Sequence, residues 1–226
     1  MSKKHKIKAV IFDLGETLHT RKITIEEQEN DIAAEVTNML KNEGYDISKE
    51  YYKKIKDENW QKWKNNTRTN GTEFKLENFL IYLLYKLNIQ QLDIVTEIEK
   101  IIYKNDLKNI ILKPTVIETL KYLHGENLIL GIISNSSYSY EHTIKMLKKL
   151  KIKDYFTEVF VSSKEGISKP NRLIFEKTLF ALGVTPGESI FVGDNAEIDI
   201  PGAKEIGMET FLLTDNQNII NVLPFV

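Results

Sequence analysis

Ala9-Val-Ile-Phe-Asp13-Leu-Gly-Glu-Thr17-Leu18 is the stretch whose reading decides the fold. Four apolar residues run straight into an aspartate, and Gly15 and Thr17 follow at once. A short, wholly apolar run bounded by a turn signal suits a strand buried on both faces. An aspartate ending such a strand lies where open α/β sheets bind ligands, outside the carboxyl ends of the strands. Taken alone, Asp13 would serve equally well as a cap on the next turn.

Three later stretches repeat the pattern of a short apolar run ending in small or charged residues. They are Leu128-Ile-Leu-Gly-Ile-Ile-Ser134-Asn135, Gly166-Ile-Ser-Lys169-Pro170 and Ile190-Phe-Val-Gly-Asp194, which continues to Asp199. Around them the periodicity alternates. Strands are expected at 7–12, 128–133, 158–162, 189–193 and 209–213, and helices at about 138–149, 171–182 and 201–206. The alternation implies βαβ units in a doubly wound parallel sheet with right-handed crossovers.

Residues 20–112 read differently. Thr24-Ile-Glu-Glu27 is a capping-box pattern, after which Ile32, Val36, Met39 and Leu40 share a helical face up to Gly44. Further helices are expected at about 48–66 (Tyr52, Ile55, Trp60 and Trp63 inward), from near Thr72 (Leu76 to Leu87), and at 91–104 (Leu92, Val95, Ile98, Ile102). The four stripes suit an inserted helical bundle burying them against each other. Lys113-Pro114 reads as the return linker, and Thr115-Val-Ile-Glu118 as a second capping box.

In order and spacing the four strand-end stretches resemble the motifs of the haloacid dehalogenase-like hydrolase superfamily, phosphatase type. The resemblance covers 7–19 and roughly 113–213. It implies an α/β Rossmann-like core formed by 1–19 and 113–226, with 20–112 as a helical cap. It also implies an aspartyl-phosphate mechanism. Asp13 would be the nucleophile and Thr17 the residue orienting its loop. Ser134, with a backbone N–H of Asn135, would bind phosphate, and Lys169 would neutralise both Asp13 and phosphate. Asp13, Asp194 and the backbone carbonyl of Gly15 would hold Mg²⁺, a cation that suits hard oxygen ligands. Asp199 would either stand behind these ligands or cap the Pro201 helix.

One position departs from the pattern. Most phosphatases of the superfamily carry a second aspartate, the general acid and base, two residues after the nucleophile. Here that position is Gly15. General acid–base catalysis contributes about 10²–10⁴-fold. Local substitutes are Glu16, expected to point elsewhere, and His19, expected as an exposed hinge residue. Two other readings follow: a phosphate- and metal-binding regulatory protein with little turnover, and a 2-haloacid dehalogenase. Asp194 argues against the last, because an uncompensated carboxylate would repel an anionic substrate.

Composition limits the remaining possibilities. Formal net charge is −1 over 226 residues, with no basic run that favours nucleic acid or a membrane surface. The absence of cysteine excludes disulfides and thiolate chemistry. The longest apolar stretch, Phe79 to Tyr85, is too short to span a bilayer. A cytoplasmic protein is therefore expected; the resemblance implies a small phosphorylated substrate for a monomer or homodimer, with Arg68 as a candidate contact to substrate charge.

Overall fold

A computed structural model describes residues 6–214 and 217–226. The chain begins with β1 (Ala9–Phe12) and the short β2 (His19–Arg21). Four helices follow: α1 (Ile25–Asn42), α2 (Lys49–Asn70), α3 (Leu76–Lys86) and α4 (Asp93–Asn109). Strand β3 (Ile110–Leu112) returns antiparallel to β2. The remainder alternates: α5 (Val116–Gly125), β4 (Ile129–Ser134), α6 (Tyr140–Lys149), β5 (Glu158–Val161), the single turn α7 (Ser162–Glu165), α8 (Arg172–Leu182), β6 (Ser189–Gly193), α9 (Ile200–Glu205) and β7 (Glu209–Leu212).

Five strands form one parallel sheet in the order β5-β4-β1-β6-β7. β1 and β6 are buried along their whole length because helices cover both faces. Alternation along the strands divides the core. Val10, Phe12, Leu130, Ile132 and Val192 face α5 and α6, whereas Ile11, Ile133 and Phe191 face α8 and α9. The chain builds outward from β1 to β4 and β5, then crosses back to β6 on the other side. The topological switch therefore lies between β1 and β6, where a crevice opens at the carboxyl ends of the strands.

The four helices after β2 pack on each other around a separate cluster centred on Val36, Leu40, Phe79, Leu83, Leu84 and Ile98. Thr24 caps α1 as its sequence predicts: its hydroxyl accepts from the Glu27 amide at 3.1 Å, and the Glu27 carboxylate accepts from the Thr24 amide at 2.8 Å. Trp60 and Trp63 pack edge-to-face on Phe74 and Phe79.

Several expectations are corrected. Leu92 precedes α4 and is 60% exposed, and Ile94 takes the inward position instead. α3 begins at Leu76 rather than near Thr72. Thr115 takes the N-cap position of α5 but forms no capping box: it has φ 62°, its carbonyl accepts from the Thr119 amide at 2.9 Å, and its buried hydroxyl has no partner. The strands β2 and β3 were not expected, since three-residue runs carry no period. They form because the two ends of the helical segment meet and their backbones pair.

Candidate active site

Four loops at the carboxyl ends of β1, β4 and β6 and after α7 converge on one corner. Asp13 directly follows β1, Ser134 ends β4, and Asp194 directly follows β6. Lys169 comes from the loop between α7 and α8. Its side chain is 1% exposed, and its ammonium donates to Asp13 Oδ1 at 2.6 Å and Asp199 Oδ1 at 2.7 Å. Burial alone would push this lysine down, but the two carboxylates outweigh burial and hold it above its ordinary value. Burial is also the largest influence on Asp13, raising its carboxyl to about 6, with Lys169 pulling the other way.

Thr17 donates its hydroxyl to Asp194 Oδ1 at 3.0 Å. This bond crosses from the β1 loop to the β6 loop and fixes Asp194 facing Asp13. Burial pushes the Asp194 carboxyl up, and the Thr17 bond draws it down. Asp199 does not cap α9 through its side chain. Its Oδ2 instead accepts from the Asn195 amide at 2.9 Å while Oδ1 takes Lys169. Gly193 makes this possible, because a Cβ there would lie 2.3 Å from Asp199 Oδ2.

The carboxylate oxygens of Asp13, Asp194 and Asp199 come within 4.8 Å of one another. A hard divalent cation fits this donor set. Both Asp199 oxygens already accept hydrogen bonds, so Asp13 and Asp194 are the carboxylates better placed to ligate it.

Asn135 does more than its sequence position suggested. Its Nδ2 donates to the Lys169 carbonyl at 2.8 Å, and its Oδ1 accepts from the Lys169 amide at 2.9 Å. The two bonds clamp the Lys169 backbone to the end of β4. A motif reading finds the residue but not this contact, which joins positions far apart in sequence.

A cleft of about 380 Å³ extends from this corner beneath the helical segment. Gly15, Glu16, His19, Arg21, Lys64 and Asp106 line it together with the acidic corner. His19 is buried rather than exposed, because the β2–β3 pairing draws it inward. Burial holds its imidazole below the ordinary value, with Asp106 pulling upward, and Nδ1 has no partner. Glu16 lines the cleft and bonds Thr20 Oγ1 at 2.8 Å. The Arg68 side chain lies outside the described residues.

Sequence reasoning missed Asp106 and Arg21. Asp106 is buried and pairs with His142 Nε2 at 2.7 Å across the seam between α4 and α6. Tyr103 stacks on that imidazole with ring centroids 4.1 Å apart. No motif marks either residue, because each acquires its place only when the helices dock.

The sequence model of the haloacid dehalogenase-like hydrolases matches residues 7–207. The chain belongs to the haloacid dehalogenase-like hydrolase family. A glyceraldehyde 3-phosphate phosphatase of Methanopyrus kandleri is 32% identical over 208 residues, covering 90% of this chain and 82% of that protein. A glyceraldehyde 3-phosphate phosphatase of Pyrococcus furiosus is 40% identical over 100 residues, covering 43% of this chain. That match spans 40% of the Pyrococcus protein, less than half its length. Among solved structures, a 2-haloacid dehalogenase from Pseudomonas syringae aligns with a TM-score of 0.70 over 97% of both chains at 20% identity, a likeness of fold. Within this family the fold is thus the α/β parallel sheet expected from the strand-end motifs. Among the described residues, no helix is long and apolar enough to cross a membrane.

Proposed function

We propose that this hydrolase is a Mg²⁺-dependent phosphatase of a small phosphorylated metabolite, working through an aspartyl-phosphate on Asp13. The observation that carries the reading is the convergence of Asp13, Asp194, Lys169 and Thr17 on one corner at the switch point, with Thr17 bonded to Asp194 and Lys169 to Asp13. The names of the Methanopyrus and Pyrococcus relatives support a short sugar phosphate as the substrate class.

In this reading Asp13 attacks phosphorus, a P–O bond to its carboxylate forms, and the ester P–O bond breaks. Water then attacks the same phosphorus and releases Asp13 and inorganic phosphate. Lys169, with its ammonium 2.6 Å from Asp13, offsets charge that gathers as carboxylate and phosphate approach. Ser134 and the Asn135 backbone offer hydroxyl and N–H donors to the equatorial oxygens. Asp13, Asp194 and the Gly15 carbonyl would hold Mg²⁺, which when bound neutralises further charge on the transferring group. Residues 20–112 would act as the cap, with residues 1–19 and 113–226 as the core. The cap would exclude water and supply specificity.

Gly15 leaves the leaving group without the usual proton donor. Turnover should therefore favour phosphates whose leaving groups need little protonation. The test is hydrolysis of p-nitrophenyl phosphate with Mg²⁺ and with excess chelator. Mg²⁺-dependent release of nitrophenolate supports the reading. Binding of Mg²⁺ and phosphate without release would overturn it in favour of a regulatory binding protein.

A further inference from the structure

We propose that Arg21, positioned by Glu16, is a specificity residue that selects substrates carrying a second anionic group beyond the phosphate ester. This rests on the phosphatase reading for the site, but not on its chemistry.

The cleft at the acidic corner adjoins a second cavity of about 400 Å³ that reaches Trp60 and Phe74 beneath the helices. Arg21, Lys64 and Lys169 are the cationic side chains lining both spaces, among the described residues. Lys169 is committed to two carboxylates at the corner. Arg21 therefore brings positive charge to face the rest of a substrate.

The acids nearby are engaged elsewhere. Asp106 bonds His142, Glu29 pairs with Lys56, and Glu73 accepts from Ser162. Arg21 makes one longer ion pair: its Nη1 lies 3.5 Å from Glu16, and its side chain is one-third exposed. A guanidinium carries five donors in a fork that matches carboxylate and phosphate, so one such contact leaves donors for a ligand.

The local backbone points the same way. Glu16 has φ 54°, a conformation that favours glycine. The residue before it is a glycine that needs no such freedom: Gly15 does not have a positive φ, and a Cβ there would meet nothing within 4 Å. The chain thus places its glycine and its side chain against the backbone preference. Four other non-glycine residues among those described have a positive φ, and of the five only Glu16 lines this cleft. The carboxylate at 16 holds Thr20 and Arg21 of β2, of which Arg21 lines the cleft, while Gly15 leaves the space beside Asp13 free of a further negative charge.

The experiment is calorimetric binding in Mg²⁺ to the Asp13→Asn protein, in which turnover is blocked and affinity is read directly. Two pairs isolate the second group: glycerol 3-phosphate against 3-phosphoglycerate, and fructose 6-phosphate against fructose 1,6-bisphosphate. A charge-assisted contact predicts that at least one doubly anionic member binds about 10–100-fold tighter than its partner. The first pair reports a carboxylate as the second group, the second a phosphate. Adding Arg21→Gln should collapse that ratio to within about twofold, and Arg21→Lys should keep part of it. Glu16→Gly should lower the ratio while raising the melting temperature, a combination that a purely structural glutamate would not give. Equal affinities within both pairs, or a preference that survives Arg21→Gln, would overturn the proposal. Should the unmutated protein fail to hydrolyse any phosphate ester, the phosphatase reading falls while the binding ratio still decides the role of Arg21.

Discussion

An aspartate fits at position 15 without strain: the backbone φ is not positive and a Cβ meets nothing within 4 Å. Gly15→Asp should therefore fold and restore the missing proton donor. Turnover of alkyl phosphates should rise by up to about 10²-fold, and of aryl phosphates much less. Steady-state rates on glycerol 3-phosphate and p-nitrophenyl phosphate measure this, and an equal gain on both would show that leaving-group protonation was never limiting. Asp13 gives a second prediction. Burial raises its carboxyl to about 6, so proton and cation compete for it just below neutrality. Mg²⁺ affinity should be intact at pH 7.5 and weaken as pH falls through about 6, because the site must lose a proton to take the metal. Titration calorimetry at pH 7.5 and 5.5 reads the change, and a pH-independent affinity would remove Asp13 from the ligand set. The residues legible in sequence were those adjoining an apolar strand, since strand ends advertise themselves by pattern. His19 and Asn135 were misread or half-read because their burial and partners, Asp106 near one and Lys169 bonded to the other, come from distant parts of the chain.

Among the elements, the turn after β6 constrains the site most tightly. Gly193 lets the Asp199 carboxylate lie against the strand end, where it bonds Lys169 and the Asn195 amide. Gly193→Ala should displace Asp199 and loosen Lys169. Overpacking of this kind costs about 1–3 kcal/mol, read as a lower urea midpoint, with reduced phosphatase activity alongside. Unchanged stability would mean that the turn relaxes freely. Long helices and fully buried strands were readable because their periods run over several turns or residues. The helix after Thr115 starts where expected, but its capping box was misread because the same four-residue pattern can occur where the backbone turns left-handed. The β2–β3 pair was invisible because three residues set no period and tertiary closure creates the ladder.

Across the whole molecule, two cores divide the work. The sheet and its helices fix the acidic corner, and the second cluster of α1–α4 roofs the cleft that leads from it. His142 and Asp106 join the two units through a buried bond at 2.7 Å, and Ser168 bonds the turn after α2 at Thr72. The parallel sheet and the ligand-binding ends of its strands were legible from alternation and strand-end residues, whereas the strand order and the cleft walls were not, because these arise only where distant elements pack. The measurement that tests the central claim most directly is the rate of p-nitrophenyl phosphate hydrolysis in Mg²⁺ by Asp13→Asn beside the unmutated protein, with circular dichroism as the check on fold. A neutral amide cannot attack phosphorus, so the account predicts a folded protein whose rate falls by about 10⁴-fold or more. A folded Asp13→Asn protein that keeps its activity would contradict it.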